Sequence, residues 1–143
     1  MSFDIYSHRA GGTDDSTLGP ILEFVEPFVV REPEAQPRDS VPRLQVPDGE
    51  GGFATAYIGD PNEWGEGDDL VVTYNRPTGP LLPLLRVIHH IATLGEQTLA
   101  VPAGLSVVTT EAARAHAAPE ERDSPLVRSA EDLLAYWIAG GGI

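Results

Sequence analysis

Leu81-Leu82-Pro83-Leu84-Leu85-Arg86-Val87-Ile88-His89-His90-Ile91-Ala92-Thr93-Leu94 is the stretch on which the fold turns. Leu81, Leu84, Leu85, Ile88, Ile91 and Ala92 recur at the three- and four-residue spacing of a helix stripe, and Leu82, Val87 and Leu94 widen it. A helix apolar over so much of its circumference needs cover on several sides, so it is expected at the centre of the molecule. Pro83 is compatible because it falls in the first turn, where its missing N–H has no intrahelical partner. Gly95 is expected to end the helix.

Working outward, Asp69-Leu70-Val71-Val72-Thr73-Tyr74-Asn75 is rich in β-branched residues and reads as the best strand, closed by a turn at Pro77-Thr78-Gly79-Pro80. Upstream, residues 43–46 lead through the turn 47–52 into 53–58, a hairpin with Phe53, Thr55 and Tyr57 on one side and Ala54, Ala56 and Ile58 on the other. Phe3 and Ile5 alternate with Asp4 and Tyr6 in an opening strand. Ser16 or Thr17 is placed to cap a helix holding Leu18, Ile21, Leu22 and Val25 on one face, with Pro20 in its first turn and Pro27 ending it. The connection 31–42, with three prolines and five charges, reads as exposed. Downstream, 98–101 and 106–109 read as short strands, 111–118 as a short helix opened by Thr110, and 119–125 as an acidic connection. Ser129 and Asp132 stand at capping-box spacing before a last helix, 129–139, whose apolar face is Leu133, Leu134, Trp137 and Ile138. This order predicts an α+β fold: a mostly antiparallel or mixed sheet packed on the central Leu-rich helix, with an added C-terminal helix. At 143 residues the chain suits a single domain over 1–143.

Composition narrows the function classes. There is no Cys, so disulfides, thiolate chemistry and zinc-thiolate sites are out. No apolar run approaches the roughly 20 residues that span a bilayer, and the opening residues lack a signal-peptide pattern, so the expected location is cytoplasmic, with no membrane partner. The net charge is −13, and residues 1–75 carry fifteen Asp and Glu against four Arg. A surface so biased repels polyanions and attracts cations, which argues against nucleic acid and for a basic partner. All nine basic residues are Arg, which a GC-rich coding sequence explains as well as selection does.

The chemical motifs fall away on inspection. Asp60-Pro61-Asn62-Glu63-Trp64-Gly65 begins like a calcium loop, but Trp64 and Val71 occupy positions five and twelve, where ligands belong. His89 and His90 are adjacent, so their side chains diverge by about 100° and cannot share a metal on one helix face. His8 and His116 are isolated, no nucleophile elbow surrounds any Ser, and Gly11-Gly12 is followed by Asp14 and Asp15, which would repel a phosphate. The pairs Asp68-Asp69 and Glu120-Glu121 read as solubilising surface charge. No cofactor, metal or catalytic residue is assigned.

What remains is an acidic region, 60–69, with aromatic residues beside it. Glu63, Trp64, Glu66, Asp68 and Asp69, supported by Tyr57, are the expected contacts for a basic protein, the aromatics giving a desolvated centre and the carboxylates a rim. The opening Met1-Ser2-Phe3-Asp4-Ile5-Tyr6, the amphipathic helix after it, the strand ending Tyr74-Asn75-Arg76-Pro77 and the Leu-rich helix behind it resemble small acidic bacterial proteins, some of them immunity proteins of polymorphic toxin systems. The resemblance spans roughly the first 115 residues and leaves the helix at 129–139 without a counterpart. It implies a stoichiometric inhibitor of a toxin domain. Two alternatives stand beside it. One is an enzyme whose site is assembled only by folding, with His8 or His89 brought to a carboxylate near Asn75 and Arg76. The other is a structural domain that forms homo-oligomers through Trp137 and Ile138.

Overall fold

A computed structural model describes residues 4–9, 15–30, 42–64, 70–101 and 104–141. Seven strands, β1 (Asp4–Arg9), β2 (Val29–Val30), β3 (Arg43–Pro47), β4 (Phe53–Ile58), β5 (Leu70–Thr78), β6 (Thr98–Val101) and β7 (Leu105–Val108), form one sheet in the order β2-β3-β4-β5-β1-β6-β7. Every neighbouring pair is antiparallel. The helices are α1 (Asp15–Val25), α2 (Leu81–Gly95), α3 (Glu111–Arg114) and α4 (Ala130–Ala139). The fold is α+β, as the element order predicts, and the sheet has no parallel pair between named strands.

The Leu-rich helix is central for the reason its pattern gives. Leu84, Leu85, Ile88, Ile91 and Ala92 are all fully buried, and α2 packs against α1, α4, β3 and β4. Beneath it lie the inward residues of alternate strand positions: Ile5, Leu44, Val46, Ala54, Ala56, Ile58, Leu70, Val72, Tyr74 and Leu99. Ile21 and Val25 of α1 and Leu133 and Trp137 of α4 complete a single core. Arg86 of α2 and Glu131 of α4 meet at 2.8 Å on the surface, and the guanidinium holds that carboxyl below its usual range.

Several boundaries differ from the sequence expectation. Helix α1 begins at Asp15, so Ser16 and Thr17 lie within it and Pro20 falls beyond the first turn, on an exposed side. Pro27 does end the helix, which passes into a 3-10 turn at Glu26–Phe28 and then into the two-residue β2. Strand β5 runs past Asn75 to Thr78 because a bulge against β4, with Arg76 at φ 51°, absorbs the misfit that the Pro77 turn was expected to make final. The left-handed cap of α2 is Glu96 rather than Gly95. Gly95 is the last helical residue, and a Cβ there would approach Ile21 Cδ1 and Gln97 Nε2 at 2.9 Å. Helix α3 is one turn, capped by the Thr110 hydroxyl, while α4 starts behind Ser129, whose hydroxyl accepts from the Asp132 N–H at 3.1 Å.

All the long helices lie on one side of the sheet. The other side is partly covered by the chain after α3. There, His8 meets Glu121 at 2.9 Å, Ser106 meets Ser124 at 2.6 Å, and residues 125–127 bond to both backbone groups of Val108. Thr98 and Val108 point to that side and are fully buried beneath this segment.

Candidate functional site

Alternation along β1, β4 and β5 presents a face over which no α-helix lies among the described residues, its His8 end being met by Glu121. Its residues are Asp4, Tyr6 and His8 from β1, Phe53, Thr55 and Tyr57 from β4, and Val71, Thr73 and Asn75 from β5. The pairing places Tyr57, Asn75 and Asp4 in one row, Thr73 and Tyr6 in the next, and Val71 and His8 in the one beyond. Phe53 is 51% exposed, Tyr57 40%, Tyr6 43% and Val71 54%. Among the described residues, four of the five large exposed hydrophobics are therefore on this face, and Ile138 of α4 is the fifth. Exposed apolar side chains scattered singly are ordinary, whereas a group shared by three adjacent strands is a surface of the kind that meets another molecule.

The contacts expected from sequence divide accordingly. Tyr57 is on the open face, and Glu63 is exposed at the end of a 3-10 turn, Pro61–Glu63. Trp64 is corrected: it is 6% exposed and belongs to the core, so it is not a surface anchor. The turn, closed by the Glu63 N–H bonding Asp60 O at 2.9 Å, directs the indole inward toward Gly59. Glu66, Asp68 and Asp69 lie outside the described residues. The described carboxylates of the first half are also dispersed. Glu23 and Glu26 lie at α1, Asp48 and Glu50 at the β3–β4 turn, and Asp60 and Glu63 at the opposite sheet end. Among the described residues the negative charge is thus spread over the surface and not gathered in one patch. Trp137 is fully buried within its own core, leaving Ile138 alone of the pair expected to join a symmetry mate.

A second cluster surrounds the end of β1. Arg9 Nη2 lies 3.0 Å from His116 Nε2 and 3.6 Å from Glu96 Oε2, His116 Nε2 lies 3.2 Å from the same Oε2, and Arg9 Nη1 donates to Thr17 Oγ1 at 3.2 Å. Arginine can only donate and a carboxylate can only accept, so Nε2 serves one of them at a time: unprotonated it accepts from Arg9, protonated it donates to Glu96. Successive residues of a strand point to opposite faces, so the His8–Glu121 pair and this cluster do not converge. Among the described residues no three His, Cys, Asp or Glu gather as a metal site. His8 does reach a carboxylate, but at the far end of β1 from Asn75, which pairs with Asp4. His89 bonds the Val127 carbonyl at 2.9 Å. An open groove between α1 and α2, of about 510 Å³ and lined by Phe24, Phe28, Leu94 and His90 among others, contains neither of those histidines. No helix among the described residues is long and apolar enough to cross a membrane.

No family model matches the chain, and no curated protein or solved structure is significantly similar to it.

The sequence contained part of this surface. Phe53 and Tyr57 share a side by period two, but only the pairing brings Tyr6, Val71, Asp4 and Asn75 beside them.

Proposed function

We propose that this chain is a non-enzymatic protein-binding domain, immunity-like, whose uncovered sheet face docks on a basic protein and blocks it. The observation that carries the reading is the set Phe53, Tyr57, Tyr6 and Val71, all exposed on one side of the sheet and following one another diagonally across β4, β1 and β5. The net charge of −13 supports a cationic partner, since it accelerates encounter with a positive surface and opposes a second copy of this chain. Aromatic side chains supply the desolvated contact and the dispersed carboxylates supply the steering.

The test places a photo-cross-linking side chain at position 71, where Val71 is 54% exposed. One basic protein is expected to be captured in cells and lost when Tyr6→Arg and Tyr57→Arg are added. Its association rate should fall as salt is raised. No adduct at position 71, or an adduct indifferent to both tyrosine changes, refutes docking through this face.

A further inference from the structure

We infer that the docking face seats a guanidinium group, so that its partner presents an arginine side chain between Tyr6 and Tyr57. The inference rests on the reading of the face as a protein-docking surface and names what is recognised there. Tyr57 and Tyr6 are on strands separated by β5, two spacings of about 4.8 Å, and one row apart along them, with Asn75 opposite Tyr57 and Thr73 opposite Tyr6 on the strand between. The Tyr6 hydroxyl reaches Asp4, which stands in the row of Tyr57, so the two exposed tyrosines border the surface over Asn75 from the strands on either side of it. Asp4 adjoins Asn75 in the same row, and the Tyr6 hydroxyl lies 3.5 Å from its Oδ2, at the limit of a hydrogen bond. Among the described residues Asp4 makes no ion pair, so its carboxylate keeps acceptor capacity beside the rings. Arg43, beyond Tyr57 in the row, already interacts within the chain.

A guanidinium meets these features together. It is flat, weakly hydrated and always charged, it stacks on aromatic faces, and its fork of donors suits a carboxylate next to an amide oxygen. An ammonium is a compact, strongly hydrated charge that stacks on an aromatic face less well. A nucleic acid base could stack on the same rings, but its phosphates meet a molecule of charge −13.

The experiment uses the full chain, labelled with nitrogen-15, and blocked pentapeptides that carry arginine, lysine or citrulline at the centre, titrated at low salt. Citrulline has the shape of arginine without its charge. Saturable shifts are expected at Tyr6, Asn75 and Tyr57 with the arginine peptide, and binding about tenfold weaker with citrulline, as befits a charge-assisted contact. Lysine should fall between them. Asp4→Asn and Tyr6→Ala, both at accessible positions, should each weaken the arginine peptide several-fold while the spectrum stays that of the folded protein. Equal binding of arginine and citrulline overturns the inference. So do shifts spread over all acidic loops, indifference to Asp4→Asn, and perturbation of the same residues by a neutral oligosaccharide where the arginine peptide causes none. If the cross-link at position 71 persists while the arginine peptide fails, the guanidinium seat is lost and the docking face stands.

Discussion

Replacing Gly79 by Ala should destabilise the protein, whereas replacing Gly19 by Ala should stabilise it. Gly79 turns the chain from β5 into α2 at φ +84°, and a Cβ there would lie 2.7 Å from the Phe53 carbonyl oxygen and 3.0 Å from Ala54 Cα. Both neighbours are backbone atoms of β4, which is fixed by its pairing with β3 at Pro47 and Val46, so they cannot swing aside. The left-handed conformation costs alanine about 1–2 kcal/mol. Displacing the packed strand costs about 1–3 kcal/mol more. Against this, any Gly→Ala change gains about 0.4–1 kcal/mol by stiffening the unfolded chain. The net expectation for Gly79→Ala is a loss of roughly 3 kcal/mol, which lowers Tm by about 10 °C at this size. Gly19 lies within α1 with nothing inside 4 Å of its would-be Cβ. There the change should add about 1 kcal/mol. Urea unfolding measures both through the midpoint, with an unchanged slope showing that the unfolded state is comparable. A Gly79→Ala protein within about 0.5 kcal/mol of the wild type, a difference ordinary for surface changes, would refute the turn geometry and the close approach of β4.

Other expectations follow from the same structure. Burial raises the Tyr74 phenol far above its usual value of about 10, with the nearby Ser7 hydroxyl pulling slightly the other way. The folded chain then keeps a proton that the unfolded chain releases. Stability present below pH 10 should therefore decline above it, by up to about 1.4 kcal/mol per pH unit, and Tyr74→Phe should remove that part of the slope in alkaline denaturation. Trp64 and Trp137 are 6% and 0% exposed, so iodide should leave the native fluorescence nearly unquenched, and strong quenching would contradict the inward turn of Trp64. Ser129→Ala removes the cap of α4 and should cost about 1 kcal/mol in urea unfolding, whereas a neutral result would mean that another group serves the Asp132 N–H.

The sequence by itself determined the elements and their inward sides. Six apolar positions of α2 at helical spacing needed cover, and alternation in 53–58 and 70–75 told which side of each strand would receive it, because one period belongs to each kind of structure. It also determined the net charge of −13. Boundaries failed where a local signal met a long-range contact. The Pro77 turn gave way to the bulge at Arg76, and Trp64, read as an exposed aromatic in an acidic loop, went to the core, whereas Gly95 ends α2 as its position predicts. Tertiary structure alone decided which strands adjoin. Tyr6 stands beside Thr73, and one strand and one row from Tyr57, because β1 enters between β5 and β6, a choice set by the burial of Ile5, Leu99 and Tyr74 in the core and invisible in any single segment. The face that we assign to docking is the reverse side of that choice: the long helices cover one side of the sheet, the chain after α3 covers part of the other, and Tyr6, Tyr57, Phe53 and Val71 are exposed on what remains.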